Sequence, residues 1–155
     1  MKQQIIDIFP AEFYKNAAYW RGFTLACVYL VMAVTQLFSY EDFGEVVAGY
    51  GFAGGQVTVV VMAALLPLFE VLALPYLLSM KLSMRARRTS KIAVLCVPCL
   101  WLLVALVANV VASDGINSGL LGATIPTMNG WWLVAFAALL LWSAVLVVRE
   151  LPKRK

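Results

Sequence analysis

The sequence predicts an all-α, polytopic membrane protein, a bundle of four transmembrane helices with short interfacial helices beside it. Three observations lead there. The 155-residue chain is 63% hydrophobic and 13% charged, with a mean hydropathy of +0.89. A soluble domain holds about 45–50% apolar and about 25% charged residues, and a chain of this length makes one domain. One core cannot absorb that excess, so apolar surface must face lipid. Next, four apolar runs reach the length of roughly 20 residues that crosses a bilayer as helix. Finally, the basic residues gather in alternate connecting segments.

Residues 1–21 form the first element. IIDIFPAEFYKNAAYW carries Ile5, Ile8, Phe9, Phe13 and Trp20 among polar residues, a pattern suited to a segment lying in the membrane interface. Pro10 divides it into two pieces. No small-residue cleavage site follows the first apolar run, so this run is expected to stay in the mature protein. The first span is predicted over residues 22–39. SYEDFGEVVAGYGFAGG comes next, with Tyr40, Phe43, Val47 and Tyr50 three or four apart. That spacing gives a short surface helix one apolar face, ended by Gly51, Gly54 and Gly55.

The second span is predicted over residues 56–80, followed by the basic loop KLSMRARRTSK. The third span covers 92–112. SDGINSGLLGATIPTMNG follows, rich in Gly and small polar residues with Leu120, Leu121 and Ile125 between them. It is expected to fold back onto the end of the bundle. Trp131 and Trp132 mark the interface where the fourth span, 131–148, begins. A basic tail, 149–155, ends the chain.

Charge sets the expected orientation. Lys2, Lys15 and Arg21 precede span one. Lys81, Arg85, Arg87, Arg88 and Lys91 lie between spans two and three, and Arg149, Lys153, Arg154 and Lys155 follow span four. These are all twelve basic residues. The other two loops carry only Glu41, Asp42, Glu45 and Asp114. By the positive-inside rule both termini are cytoplasmic, and the expected setting is the plasma (inner) membrane of a prokaryote. The basic run beside two spans sets orientation and meets anionic lipid; it argues for no nucleic-acid partner.

Few polar residues lie inside the spans. Glu70 stands in LLPLFEVLALP, roughly 15 Å from the cytoplasmic end of span two. Ala63, Leu66, Pro67, Ala73, Leu74 and Leu77 share its helical face, and the small ones let another helix approach, so this face should point into the bundle. No cation of the chain reaches that depth, and a carboxyl out of water favours its neutral form. Glu70 is therefore expected to be uncharged at pH 7 unless a ligand or partner supplies positive charge. Its functional readings are a proton relay, a quinone or substrate contact, or an ion site. Its bland reading is a side chain satisfied by a carbonyl freed by Pro67 or Pro75, or by a polar residue of another span.

Cys96 and Cys99 in CVPC form the second candidate. A Cys-x-x-Cys pair at a helix N-terminus can act as a redox dithiol. This pair begins about four residues into the predicted span three, with Pro98 between the cysteines. Its expected place on the cytoplasmic side, where thiols stay reduced, and the frequency of buried cysteine favour packing. Cys27 alone reads as packing, at a depth where it meets the pair if spans one and three touch. Gln36 and Asn109 are candidate ligand contacts, with interhelical hydrogen bonds as the plainer reading. The chain has no histidine, which removes the commonest transition-metal ligand and general base. No metal site or intrinsic cofactor is expected.

Several of these stretches line up with one pattern: MAVTQLFSYEDFGEVVAGYGF at the end of span one, LLPLFEVLALPYLL in span two, and LWLLVALVANVVASDGINSGLLG in span three. The chain resembles the DoxX/MauE-like family of four-helix membrane proteins over roughly Leu25 to Gly122. Phe43, Tyr50–Gly51, Leu66–Pro67 with Glu70, and Asn109 carry the resemblance. Ala33-Val34-Thr35-Gln36 departs from the family's Gly-x-x-Lys-like motif. Asn117-Ser118-Gly119-Leu120-Leu121-Gly122 lacks the cysteine pair of MauE-type members, which weakens a disulfide-forming role. The resemblance implies an accessory subunit of a redox assembly, linked to a quinone in thiosulfate or thiol oxidation, or to maturation of an exported redox enzyme. Its partners would be other membrane or exported redox subunits. Two alternatives stand beside it: a non-catalytic structural subunit, and a small proton-coupled transporter using Glu70. In none of them is the chain expected to be an enzyme by itself.

Overall fold

The computed structural model describes residues 16–51, 54–111 and 117–151. The interfacial segment through Phe13, Asp114 and the tail from Pro152 lie outside the described residues. Among the described residues five helices follow one another: α1 (Ala17–Phe38), α2 (Tyr40–Ala48), α3 (Gly55–Leu77), α4 (Met84–Val111) and α5 (Trp131–Glu150). All but α2 are long and apolar enough to cross a membrane. The chain is a multi-pass membrane protein built as a four-helix bundle.

The helix ends have local causes. Asn16 caps α1, its side-chain oxygen accepting from the Ala18 N–H at 2.9 Å, and so satisfies one of the donors a helix start leaves free. The first span thus starts five residues earlier than hydropathy suggests. α4 starts earlier still, at Met84 rather than at Ile92. Hydropathy marks where lipid begins, whereas a helix continues into water when its residues are good helix formers, as Arg85, Ala86, Arg87 and Arg88 are. α3 ends in the opposite sense, before residue 80. The Ser79 N–H bonds to the Tyr76 carbonyl and the Met80 N–H to the Pro75 carbonyl, with Ser79 left-handed at φ 52°; this bond pair stops a helix.

α3 packs against α1 and α4, α4 against α5, and α5 closes the ring on α1. α1 and α4 face each other across the centre, where the Tyr29 hydroxyl donates to the Val94 carbonyl at 3.0 Å. Gly22 lets α1 meet the end of α3, since a Cβ there would stand 2.7 Å from the Leu77 oxygen. The core is mostly small or slim, with Ala26, Ala63, Ala73, Ala105, Ala137 and Ala144 all buried. Between membrane helices close packing holds where water exclusion cannot.

Prolines inside α3 and α4 do not end those helices. Near Pro75 the neighbouring helix supplies a substitute partner. The Ser90 hydroxyl accepts from the Tyr76 N–H at 3.0 Å and donates to the Leu72 carbonyl at 2.6 Å. These two backbone groups stand at the i and i−4 positions of a helical bond, so the serine is inserted into the ladder beside the proline. Inside a bilayer no water is at hand for that task.

The ends of the bundle differ in charge. One end gathers Arg21, Lys81, Arg85, Arg87, Arg88 and Arg149, with Arg21 paired to Glu150 and Arg87 lying over the Tyr76 ring at 5.8 Å. The opposite end holds Glu41, Asp42 and Glu45 on α2. α2 is the short helix that its apolar spacing predicts, and Phe43, Val47 and Tyr50 are fully buried while Tyr40 stays exposed.

Candidate functional site

Glu70 is fully buried, and the face that carries it points inward as its small residues require: Ala63, Leu66, Pro67, Ala73 and Leu77 are buried with it. Its Oε1 accepts two hydrogen bonds, from Trp101 Nε1 of α4 at 2.9 Å and from Gln36 Nε2 of α1 at 3.2 Å. Neither proline supplies its partner. No ion pair reaches Glu70 among the described residues.

The meeting of Gln36 and Glu70 is not evident from depth alone. Measured from the level where Gly22 touches Leu77, Gln36 lies roughly 21 Å along α1 and Glu70 roughly 10 Å along α3. Side chains lean toward the N-terminus of their own helix. α1 and α3 run in opposite directions, so Gln36 leans back toward the basic end while Glu70 leans toward the acidic end. Two long side chains then close the interval.

Gln36 is fully buried too, and its amide nitrogen also donates to the Leu120 carbonyl at 3.2 Å. Both amide hydrogens are thereby used. Gln36 Oε1 and Glu70 Oε2 remain buried without a donor. Buried polar atoms are nearly always partnered, so two orphaned acceptors in one cluster mark a place for a donor. A proton on Glu70, or a ligand hydroxyl or amine, meets that demand.

The segment 117–130 covers this cluster, as its composition leads one to expect. Leu120 is buried, whereas Ile125 is exposed and takes no part. The Asn117 side chain organises the loop by accepting from the Gly119 and Thr127 N–H groups, each at 3.0 Å. The Tyr50 hydroxyl donates to the Ser118 carbonyl. Burial pushes the Tyr50 phenol above its ordinary pKa, which keeps it a donor. Ser39 Oγ accepts from the Ala123 N–H at 2.9 Å. Gly122, at φ 69°, lies against the Thr35 carbonyl and Ser39 Oγ with no room for a side chain.

The other candidates lie apart. Asn109 Nδ2 donates to the Ala105 carbonyl at 2.7 Å and to the Gly130 carbonyl at 3.3 Å, so it joins α4 to the start of α5. Cys27 and Cys99 are exposed, Cys96 is half-buried, and all three are free thiols. Because α4 begins at Met84, the pair sits more than three turns into the helix. The dipole acts only within the first turn, so the activation expected of a pair at a helix start does not operate here. Cys27 lies on the outer surface of α1, and α1 is diagonal to α4. No group of metal-ligating side chains occurs among the described residues.

Trp101 is the member of the site that sequence reasoning misses. A tryptophan in mid-span carries an N–H that must find an acceptor when buried, and Glu70 is the acidic residue nearest mid-span; that complementarity is the available signal. Ser90 and Tyr29 give no comparable sign, since their partners are backbone groups. In comparison with known proteins, no family model matches the chain, and neither a curated protein nor a solved structure matches it.

Proposed function

We propose that the chain is an accessory subunit of a membrane redox assembly in which Glu70 and Gln36 contact the reduced, hydroxyl-bearing form of a quinone. The pair of buried acceptors without donors, Glu70 Oε2 and Gln36 Oε1, carries this reading. The donors of the site, Trp101 Nε1 and Gln36 Nε2, are already engaged, so the free valences suit a molecule that donates. A quinol has hydroxyl groups to offer, and an oxidised quinone has only carbonyl acceptors. A quinol supplies two electrons to the assembly and its protons must go elsewhere; Glu70 would take or pass one, held in position by Trp101 and Gln36. The resemblance to DoxX/MauE-like proteins supports the same reading. Of the residues that carry it, Phe43, Tyr50 and Glu70 belong to the carboxyl site or pack under its cover, while Asn109 lies apart, bonded to the start of α5. On this reading the basic end of the bundle is cytoplasmic, both termini with it, in the inner membrane of a prokaryote.

The test is Glu70→Gln in the native assembly. The amide keeps an acceptor for Trp101 and Gln36 but cannot exchange a proton, so quinol-linked turnover should be lost while the subunits stay together. Turnover at the wild-type rate would remove the proposal.

A structural subunit is the second reading, and one observation favours it. The bonds of Glu70 and Gln36 tie α1, α3, α4 and the loop at Leu120 into one unit. A variant that loses assembly together with turnover would point there.

A further inference from the structure

The seam between α1 and α5 is the most loosely packed of the four between neighbouring spans, and a half-open groove of about 730 Å³ runs along it. That volume lies within the range of roughly 300–1,000 Å³ typical of small-ligand sites. At one end stand Arg21 and Glu150, paired with each other and both substantially exposed. From there the groove passes Thr24 and Ser143 to Val28 and Leu140. Arg21 to Val28 spans roughly 10 Å of helix and Glu150 to Leu140 roughly 15 Å. Half of a hydrocarbon core of about 30 Å is about 15 Å. The groove therefore has the depth of a single leaflet, with its charged end at the headgroup level.

We propose that this groove holds one phospholipid with a zwitterionic, primary-amine headgroup, phosphatidylethanolamine in chemistry. One acyl chain lies along α1 and α5, the phosphate meets the Arg21 guanidinium, and the ammonium meets the Glu150 carboxylate. The groove places a cation and an anion side by side, which matches the order of charges in that headgroup. An anionic lipid would bring its charge against Glu150. A choline headgroup has no N–H to give the carboxylate. Exposed ion pairs are weakly held, so the headgroup can part Arg21 from Glu150, and guanidinium forks match phosphate geometry. Two indoles stand at the rim, Trp20 beside the headgroup and Trp142 deeper, both turned outward. This site lies outside the Glu70 cluster and does not depend on its chemistry.

The experiment uses the full chain in mild detergent, offered equal amounts of phosphatidylethanolamine, phosphatidylglycerol and phosphatidylcholine with identical acyl chains. Native mass spectrometry reads which lipid stays bound. The wild type should retain the ethanolamine lipid about tenfold over either competitor, the gain of one charge-assisted hydrogen bond. Glu150→Gln should erase that preference and favour the glycerol lipid through Arg21. Ser143→Phe, which fills the groove and leaves both charges, should lower retention of all three, and Leu146→Phe replaces it if that variant unfolds early in a thermal scan. Equal retention of the three lipids by the wild type, a preference for the glycerol lipid, no retained lipid, or a Glu150→Gln variant that selects as the wild type does would each overturn the proposal.

Discussion

Replacing Glu70 by leucine and by glutamine separates the two tasks of this side chain. In the folded protein Glu70 Oε1 accepts from Trp101 and from Gln36. Leucine removes both bonds and leaves the Trp101 N–H buried without an acceptor, while Gln36 keeps its bond to Leu120. Side-chain hydrogen bonds between membrane helices average about 0.6 and reach about 1.7 kcal/mol. Two of them give a loss of about 1–3 kcal/mol for Glu70→Leu, tempered by the gain from removing one orphaned acceptor, Glu70 Oε2. Glutamine retains an acceptor for both donors and presents an N–H toward Gln36 Oε1, so Glu70→Gln should stay within about 0.5 kcal/mol of the wild type. Reversible unfolding of the purified protein in mixed micelles, titrated with a denaturing detergent, measures both. A Glu70→Leu variant as stable as the wild type would refute the hydrogen-bonded role. A Glu70→Gln variant as unstable as Glu70→Leu would refute the idea that the site tolerates a neutral donor.

Other expectations concern the cover and the topology. Gly122→Ala puts a Cβ against the Thr35 carbonyl at a left-handed φ; it should cost about 1–2 kcal/mol and speed amide exchange in residues 117–124 while the spans stay protected. Tyr50→Phe should remove about 1 kcal/mol with faster exchange at the same loop. The Tyr50 phenol is held above its ordinary value of 10.0 in the fold, so its contribution is constant below about pH 10 and falls as pH rises beyond it. A Tyr50-dependent loss of stability in the neutral range would contradict this. Asp42→Cys on α2 and Ser83→Cys before α4 stand exposed at opposite ends. An impermeant thiol reagent should label the first on intact cells and the second only after permeabilisation, and the reverse pattern would invert the orientation.

The architecture was legible because the bilayer constrains it so strongly. Four apolar runs, a surface helix marked by Phe43, Val47 and Tyr50, and a loop with apolar Leu120 among glycines each have one workable place. Span limits were less legible, as at Met84, because hydropathy reads the lipid boundary while the backbone follows helix propensity and caps. Glu70 stood out by chemistry alone, and its inward direction followed from Ala63 and Ala73. Its partners did not follow. Gln36 reaches it through the opposed lean of antiparallel helices, Trp101 through rotation of α4, and Ser90 reaches α3 at a backbone break that sequence shows only as Pro75. These are pairings between helices, and a single sequence states no rotation of one helix about another.

The most direct test of a quinol-contacting accessory subunit is gentle purification from native membranes, with identification of every bound protein and extraction of bound quinone. Redox subunits should stay with the chain, and the quinone they carry should fall to background when Glu70 is replaced by leucine. A chain that purifies alone and free of quinone, or a quinone content indifferent to Glu70, would contradict it.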